Sequence, residues 1–211
     1  MTDQVFAAVE RNRRAFAELV GGLSEEQLAM PSLCDGWDCR TVAGHVAAAS
    51  SPAMGEFLGA VLRSRGNAHR ANTLLATRMA RRPRAELLTL LRERASNRAT
   101  PPVVGPYGPL TDAFVHGADI AFPLGLPFEP DPADVRISLG FVTGGRAIGF
   151  VRRGWLDGLR LVADDAGFVH GDGAEIRGRG LDVLVAVCGR PAALERVDGP
   201  GVAVLRSRIG G

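Results

Sequence analysis

The feature that most constrains the fold is a helical repeat of apolar residues near the start of the chain. Apolar side chains recur there every three or four positions, at Val5, Val9, Phe16, Leu19, Val20 and Leu23. This spacing places them on one face of an α-helix, which Gly21 and Gly22 are expected to end. Because one amphipathic helix cannot bury its own apolar face, the pattern requires further helices to pack against it.

The following segments supply those helices. Ser24, with Gln27 three residues later, has the pattern of a capping box. Asp38 is a good N-cap for a helix that carries His45 and that Pro52 is expected to end. Further helical stretches run from the mid-70s to residue 97, with a break near Pro83, and from residue 110 to about 122. Four helices with short connections predict a helical bundle over residues 1–127.

The chain changes character after residue 127. The stretch GLRLVADDAGFVHGDG alternates apolar and polar residues around a DDAG turn, which is typical of a β-hairpin. A short strand is predicted at 175–177, and helices are predicted at 133–151, 181–187 and 201–208. The predicted fold class is therefore α+β, mainly α, with the bundle followed by a small α/β domain over residues 128–211.

Composition excludes several kinds of chemistry. The 211 residues include 25 basic ones, and all of these are arginine, so the chain contains no lysine. Schiff-base chemistry through a lysine and Walker-type nucleotide hydrolysis are both excluded. The net charge is only +2, aromatic residues make up 6%, and the arginines are dispersed among acids. We therefore expect no nucleic-acid partner.

The sequence predicts a cytoplasmic protein with reduced thiols. The start, MTDQVFAAVERNRR, lacks the apolar core of a signal peptide, and no apolar run reaches the roughly 18 residues of a membrane span. Cysteines occur at Cys34, Cys39 and Cys188, an odd number without CxxC spacing. Packing is the expected role of these cysteines.

Two histidines have acidic neighbours at helical spacing. Asp112 and His116 are four residues apart and therefore emerge from one helix face, with Asp119 three residues further on. His45 lies among small apolar residues of another predicted helix. Two imidazoles and one carboxylate suit zinc, with nickel or iron as alternatives, and three ligands leave one position open. By spacing alone the signal is weak, and a hydrogen-bonded core histidine with an Asp112 that stabilises a helix start is the alternative.

The order of these motifs resembles one protein family. The segment LSEEQLAMPSLCDGWDCRTVAGHVAA is similar to the N-terminal signature of the DinB-like mycothiol-dependent maleylpyruvate isomerases, in which a metal-binding histidine follows a tryptophan by eight residues, as His45 follows Trp37. The segment PLTDAFVHGADIAFPLG resembles the second motif of the family, an acid four residues before H-G-x-D. The tail from residue 158 resembles the small C-terminal domain of the family.

The resemblance implies a role for each site residue. His45, Asp112 and His116 would be the metal ligands, although the characterised isomerases have glutamate where this chain has the shorter Asp112. Arg190 matches an arginine of the C-terminal domain that assists catalysis, with an interdomain ion pair or a helix cap as the alternative. Asp119 would orient a ligand histidine or bind polar groups of the cofactor.

The resemblance also implies an activity. The protein would be a metal-dependent, mycothiol-using isomerase or S-transferase, in which a thiolate attacks a small and possibly acidic electrophile. Its partners would be that thiol and the electrophile, while both a monomer and a homodimer are compatible with the sequence. The alternatives are a metal-dependent hydrolase that activates water and a non-catalytic protein that binds a metal or a small molecule.

Overall fold

The computed structural model describes residues 2–51, 54–100 and 104–210. Within these ranges the α-helices are α1 (Thr2–Gly22), α2 (Glu25–Leu28), α3 (Cys39–Ala49), α4 (Met54–Arg63), α5 (Ala68–Ala80), α6 (Arg84–Glu93), α7 (Tyr107–Ala121), α8 (Pro132–Thr143), α9 (Gly180–Val187) and α10 (Gly201–Ile209). A 3-10 helix covers Pro191–Arg196. The strands are β1 (Leu159–Ala163), β2 (Phe168–His170) and β3 (Ala174–Gly178).

The chain forms two compact units. The first contains residues 1–99 and 116–128, and the second contains residues 100–115 and 129–211. The division falls inside α7, which is one continuous helix. The sequence predicted two domains, a helical bundle and a C-terminal domain, with a boundary after residue 127. That boundary remains a prediction.

The first unit is built around one apolar core to which α1, α3, α6 and α7 contribute. Its buried side chains include Phe16, Val20, Val42, Val46, Leu87, Leu91 and Ile120. Helices α3 and α5 pack backbone against backbone at Gly44, where an added Cβ would lie 2.5 Å from the carbonyl oxygen of Ala76. The core thus holds α3 firmly, and α3 carries His45.

Arginine side chains close the C-terminal ends of several helices in this unit. Arg40 Nε donates a hydrogen bond to the carbonyl of Ala80 at the end of α5 (2.8 Å). Arg84 donates to the carbonyl of Gly21 in the last turn of α1 (3.0 Å), and Arg94 donates to the carbonyl of Ala47 in α3 (2.8 Å). The last carbonyls of a helix have no partner within the helix, so these contacts satisfy them and join helices that are distant in sequence.

The second unit contains a three-stranded sheet in the order β2-β1-β3. Strand β1 pairs antiparallel with β2 and parallel with β3. Helix α9 is buried along its whole length and packs against α8 and β1. Its Asp182 is buried and accepts a hydrogen bond from Arg196 Nε (2.6 Å), which provides a charged partner where burial would otherwise be costly.

The predicted fold class is confirmed, since the described chain is mainly helical with a small sheet near its C-terminus. The capping box of Ser24 and the N-cap at Asp38 are also present. Several details differ. Helix α4 and the 3-10 helix were not predicted, and α5 starts at Ala68 instead of the mid-70s. Helix α8 ends at Thr143 instead of 151, because Gly145 adopts a φ of +74° that an α-helix cannot contain. Pro52 lies outside the described residues.

The structure also bears on the membrane prediction. Among the residues that it describes, none of the helices combines the length and the apolar character that a bilayer crossing requires.

Replacing Gly44 by alanine tests the contact between α3 and α5. The new methyl group would lie 2.5 Å from the Ala76 carbonyl oxygen and 2.8 Å from the Ala80 nitrogen, so the two helices must separate. We expect the free energy of unfolding, measured in urea, to fall by about 1–3 kcal/mol.

Gly140→Ala is the matched control, because Gly140 is an exposed position in α8 where an added Cβ meets nothing within 4 Å. This change should leave stability unchanged or raise it by about 0.5–1 kcal/mol through helix propensity. An equal loss of stability in both variants would contradict the close contact at Gly44.

Candidate metal centre

His45 is positioned by α3 and by the loop that precedes it. The carboxylate of Asp38 accepts a hydrogen bond from the Thr41 backbone nitrogen (2.7 Å) and so fixes the start of the helix. Two turns later the half-buried His45 ring lies 5.4 Å from the Trp37 ring and 4.7 Å from the His116 ring, measured between centroids. The two predicted ligand histidines are therefore neighbours.

His116 is held in one orientation by Asp119, three residues further along α7. Its Nδ1 lies 2.8 Å from Oδ2 of Asp119, whose side chain is fully buried. A carboxylate accepts hydrogen bonds, so this contact places the ring proton on Nδ1 and makes Nε2 the ring nitrogen that carries the lone pair. An imidazole that donates one nitrogen proton to a carboxylate is the usual arrangement of a metal ligand.

The three predicted ligands are brought together. Asp112 precedes His116 by one turn of α7 and shares its face of the helix. One ligand atom from each of His45, Asp112 and His116 lies within 4.8 Å of the other two. Sequence spacing alone left open whether these residues would meet. In the structure their side chains lie close together.

A loop before α3 adds a residue that the sequence did not assign to the site. The thiol of Cys34 donates a hydrogen bond to Asp119 Oδ2 (3.0 Å), and its sulfur lies 3.7 Å from His116 Nδ1. Cys34, His116 and Asp119 thus form a second group of possible ligands that shares His116 with the first. The sequence predicted only packing for Cys34, which also borders the apolar core.

The glycine of the H-G-x-D motif has a steric reason. A Cβ at Gly117 would lie 2.2 Å from the ring of Phe128. The phenyl ring therefore rests on the backbone of α7 beside His116, and a larger residue at this position would displace the ring. The motif thus supplies an imidazole, a contact surface and the carboxylate of Asp119 in four consecutive positions.

The remaining candidates lie elsewhere in the chain. Arg190 precedes the 3-10 helix, and its Nη1 donates a hydrogen bond to the carbonyl of Cys188 (3.1 Å). Its role in catalysis stays a prediction. His69 and His170 are exposed.

Comparison with known proteins agrees with the resemblance found in the sequence. Residues 9–102 match the family described as the mycothiol maleylpyruvate isomerase N-terminal domain. No curated protein sequence matches the chain significantly.

Solved structures share the fold over nearly the whole chain. A histidine-to-alanine mutant of the mycothiol-dependent maleylpyruvate isomerase superposes with a TM-score of 0.59, and a second structure of that isomerase superposes with a TM-score of 0.54. Each is 12% identical and covers 95% of this chain and 93% of its own. At this identity the likeness establishes the fold, and it confirms the predicted DinB-like architecture.

Alkylation of the native protein at pH 8 should distinguish the cysteines of the first unit. Cys39 is fully buried, and burial followed by the negative charge of Asp38 raises the pKa of its thiol to about 11. It should therefore stay protonated and unmodified, whereas the half-exposed Cys34 should react. Mass spectrometry of digested protein measures both sites. Faster modification of Cys39 than of Cys34 would contradict these environments, and unfolding should make all three cysteines reactive.

Proposed function

Taking residues 9–102 as a mycothiol maleylpyruvate isomerase N-terminal domain, we propose that this protein is a mycothiol-using enzyme that binds a divalent cation. It acts on a small electrophile, by isomerisation or S-transfer. The observation that carries this proposal is the cluster of His45, which lies in the matched segment, with Asp112 and His116, because one ligand atom from each of the three lies within 4.8 Å of the other two.

The side chains fit a divalent cation in chemistry and in approximate geometry. Two imidazoles and one carboxylate suit zinc first, and nickel or iron as alternatives. Ligand atoms around a tetrahedral ion with bonds near 2.1 Å lie about 3.4 Å apart, so the present separations, which are at most 4.8 Å, need to shrink by no more than about 1.4 Å. The hydrogen bond from His116 to Asp119 supports the fit, since it engages Nδ1 and makes Nε2 the nitrogen that can bind a cation.

A bound divalent cation supplies Lewis acidity, which favours the ionised form of a thiol whose pKa in water is near 8.5. The protein's own residues provide the orientation. Asp119 accepts the hydrogen bond of His116 Nδ1, so Nε2 is the ring nitrogen that can bind a cation. The Trp37 ring, which packs against the apolar core, lies 5.4 Å from the His45 ring between centroids and forms part of the surroundings of that imidazole.

Arg190 is the proposed binding residue for an acidic group of the substrate. A guanidinium can hold a carboxylate by two parallel hydrogen bonds, and this geometry orients the substrate as well as binding it. The contact with the Cys188 carbonyl supports this proposal because it fixes one edge of the Arg190 side chain.

Substitution of His116 by alanine tests the cation site. The change removes a ligand and leaves Asp119 without its imidazole partner, so we expect the retained metal to fall from about one equivalent to near zero. Elemental analysis after gel filtration measures this. The fold should survive, because the apolar core of the first unit does not depend on the imidazole.

His69→Ala is the control, since His69 is exposed on α5 and should leave the metal content unchanged. Unchanged metal in His116→Ala would contradict the assignment. Turnover of simple esters or amides without any thiol, lost in His116→Ala, would favour the hydrolase alternative over thiol chemistry.

Substitution of Arg190 by methionine tests the substrate contact. Loss of a charge-assisted hydrogen bond is expected to raise KM for an acidic electrophile about tenfold or more, with the metal content unchanged. The exposed Arg146, also in the second unit, supplies the control variant Arg146→Met. Identical steady-state kinetics in both variants would remove Arg190 from the site.

A further inference from the structure

One oxygen of the Asp119 carboxylate, Oδ2, accepts two hydrogen bonds. His116 Nδ1 lies 2.8 Å from Oδ2, and the sulfur of Cys34 lies 3.0 Å from the same atom. The Asp119 side chain is 0% exposed. A buried carboxylate depends on such donors, since protein groups must replace the water that it has lost.

The thiol of Cys34 donates its hydrogen bond to this carboxylate and not to the imidazole. The sulfur is 3.0 Å from Asp119 Oδ2 but 3.7 Å from His116 Nδ1. Because Nδ1 already carries the proton that it donates to Asp119, it has no lone pair for a second donor. The S–H group and the imidazole N–H group therefore point at one oxygen from two sides.

The backbone around Cys34 prepares this contact. The hydroxyl oxygen of Ser32 accepts a hydrogen bond from the Cys34 nitrogen (3.1 Å), and the Cys34 carbonyl accepts one from the Trp37 nitrogen (3.0 Å). The Leu33 nitrogen donates to the backbone carbonyl of Asp119 itself (3.0 Å). The loop thus holds Asp119 through its main chain and its side chain together.

These distances favour a hydrogen-bonded thiol over a metal-binding one. Ligands around a tetrahedral ion keep about 3.4 Å or more between their donor atoms. The contacts of 2.8 Å and 3.0 Å to Asp119 are shorter than this and match hydrogen bonds to an ionised oxygen. The group of Cys34, His116 and Asp119 therefore differs in kind from the group of His45, Asp112 and His116.

We propose that Cys34 is a positioning residue, whose thiol holds Asp119 in the orientation that keeps the proton on His116 Nδ1. It acts on the cation site through Asp119 and His116, as neither a ligand nor a nucleophile. This role rests on the proposed cation site for its functional consequence, but the hydrogen-bond relay itself can be measured in metal-free protein.

The metal-free measurement is the exchange of the His116 Nδ1 proton with water, followed by nitrogen-15 NMR of the imidazole. Cys34→Ala removes one of the donors that orient the Asp119 side chain, so the proton should exchange about tenfold faster, the factor that corresponds to losing one hydrogen bond to a charged group. Cys34→Ser retains a donor and should restore most of the protection.

The second measurement is the affinity for cobalt(II), titrated by its visible absorption. We expect the dissociation constant to rise by about 10- to 100-fold in Cys34→Ala and by less in Cys34→Ser. The wild-type complex should show no thiolate-to-cobalt charge-transfer band. Cys188→Ala, which removes a buried thiol from the second unit, should change neither measurement.

The outcomes separate this role from the proposed function. Unchanged proton exchange and unchanged cobalt affinity in Cys34→Ala would overturn the positioning role while leaving the cation site intact. A charge-transfer band that disappears in Cys34→Ala would also overturn it, by making Cys34 a ligand. If the wild type binds no cobalt while the exchange rates follow the expected order, the positioning role is supported and the cation site fails.

Discussion

The arrangement of the site depends on the buried hydrogen bond between Asp119 and His116. It decides which ring nitrogen carries the proton and therefore which nitrogen can bind a cation. The two residues lie one turn apart on α7, so helix geometry alone brings them together. Burial of Asp119 keeps water from competing for its oxygens, and Cys34 adds a donor from a distant part of the chain. The Asp119 carboxylate thus links α7, the loop before α3 and the imidazole of His116.

Arginine side chains hold the helices around this contact, and apart from histidine the chain has no other basic residue type. The planar guanidinium offers several donors in fixed directions, which a lysine ammonium does not. Arg40 uses this geometry to bind the carbonyls of Ala80 and Arg82 together with the carboxylate of Glu25. The ends of α1, α3 and α5 are satisfied in this way, and the backbone contact at Gly44 holds α3 close to α5. A cation site whose ligand atoms must be placed to within about 1 Å benefits from such rigid support.

Local rules explain what the sequence could predict. The capping box at Ser24, the N-cap at Asp38 and the hairpin turn after β1 depend on neighbouring residues, and each is present. The pairing of Asp112 with His116 follows from helix periodicity. The contact between Cys34 and Asp119 joins residues 85 positions apart, so no local pattern contains it. The parallel pairing of β3 with β1 was likewise beyond local rules, because alternation does not specify strand direction.

The central proposal is that His45, Asp112 and His116 hold a divalent cation and that the cysteines do not. X-ray absorption at the zinc edge, on wild-type protein with one equivalent of zinc and no added thiol, reports the atoms that neighbour the metal. We expect two imidazole rings and a carboxylate oxygen at about 2.0–2.2 Å. A sulfur neighbour at about 2.3 Å, or the absence of imidazole scattering, would contradict it.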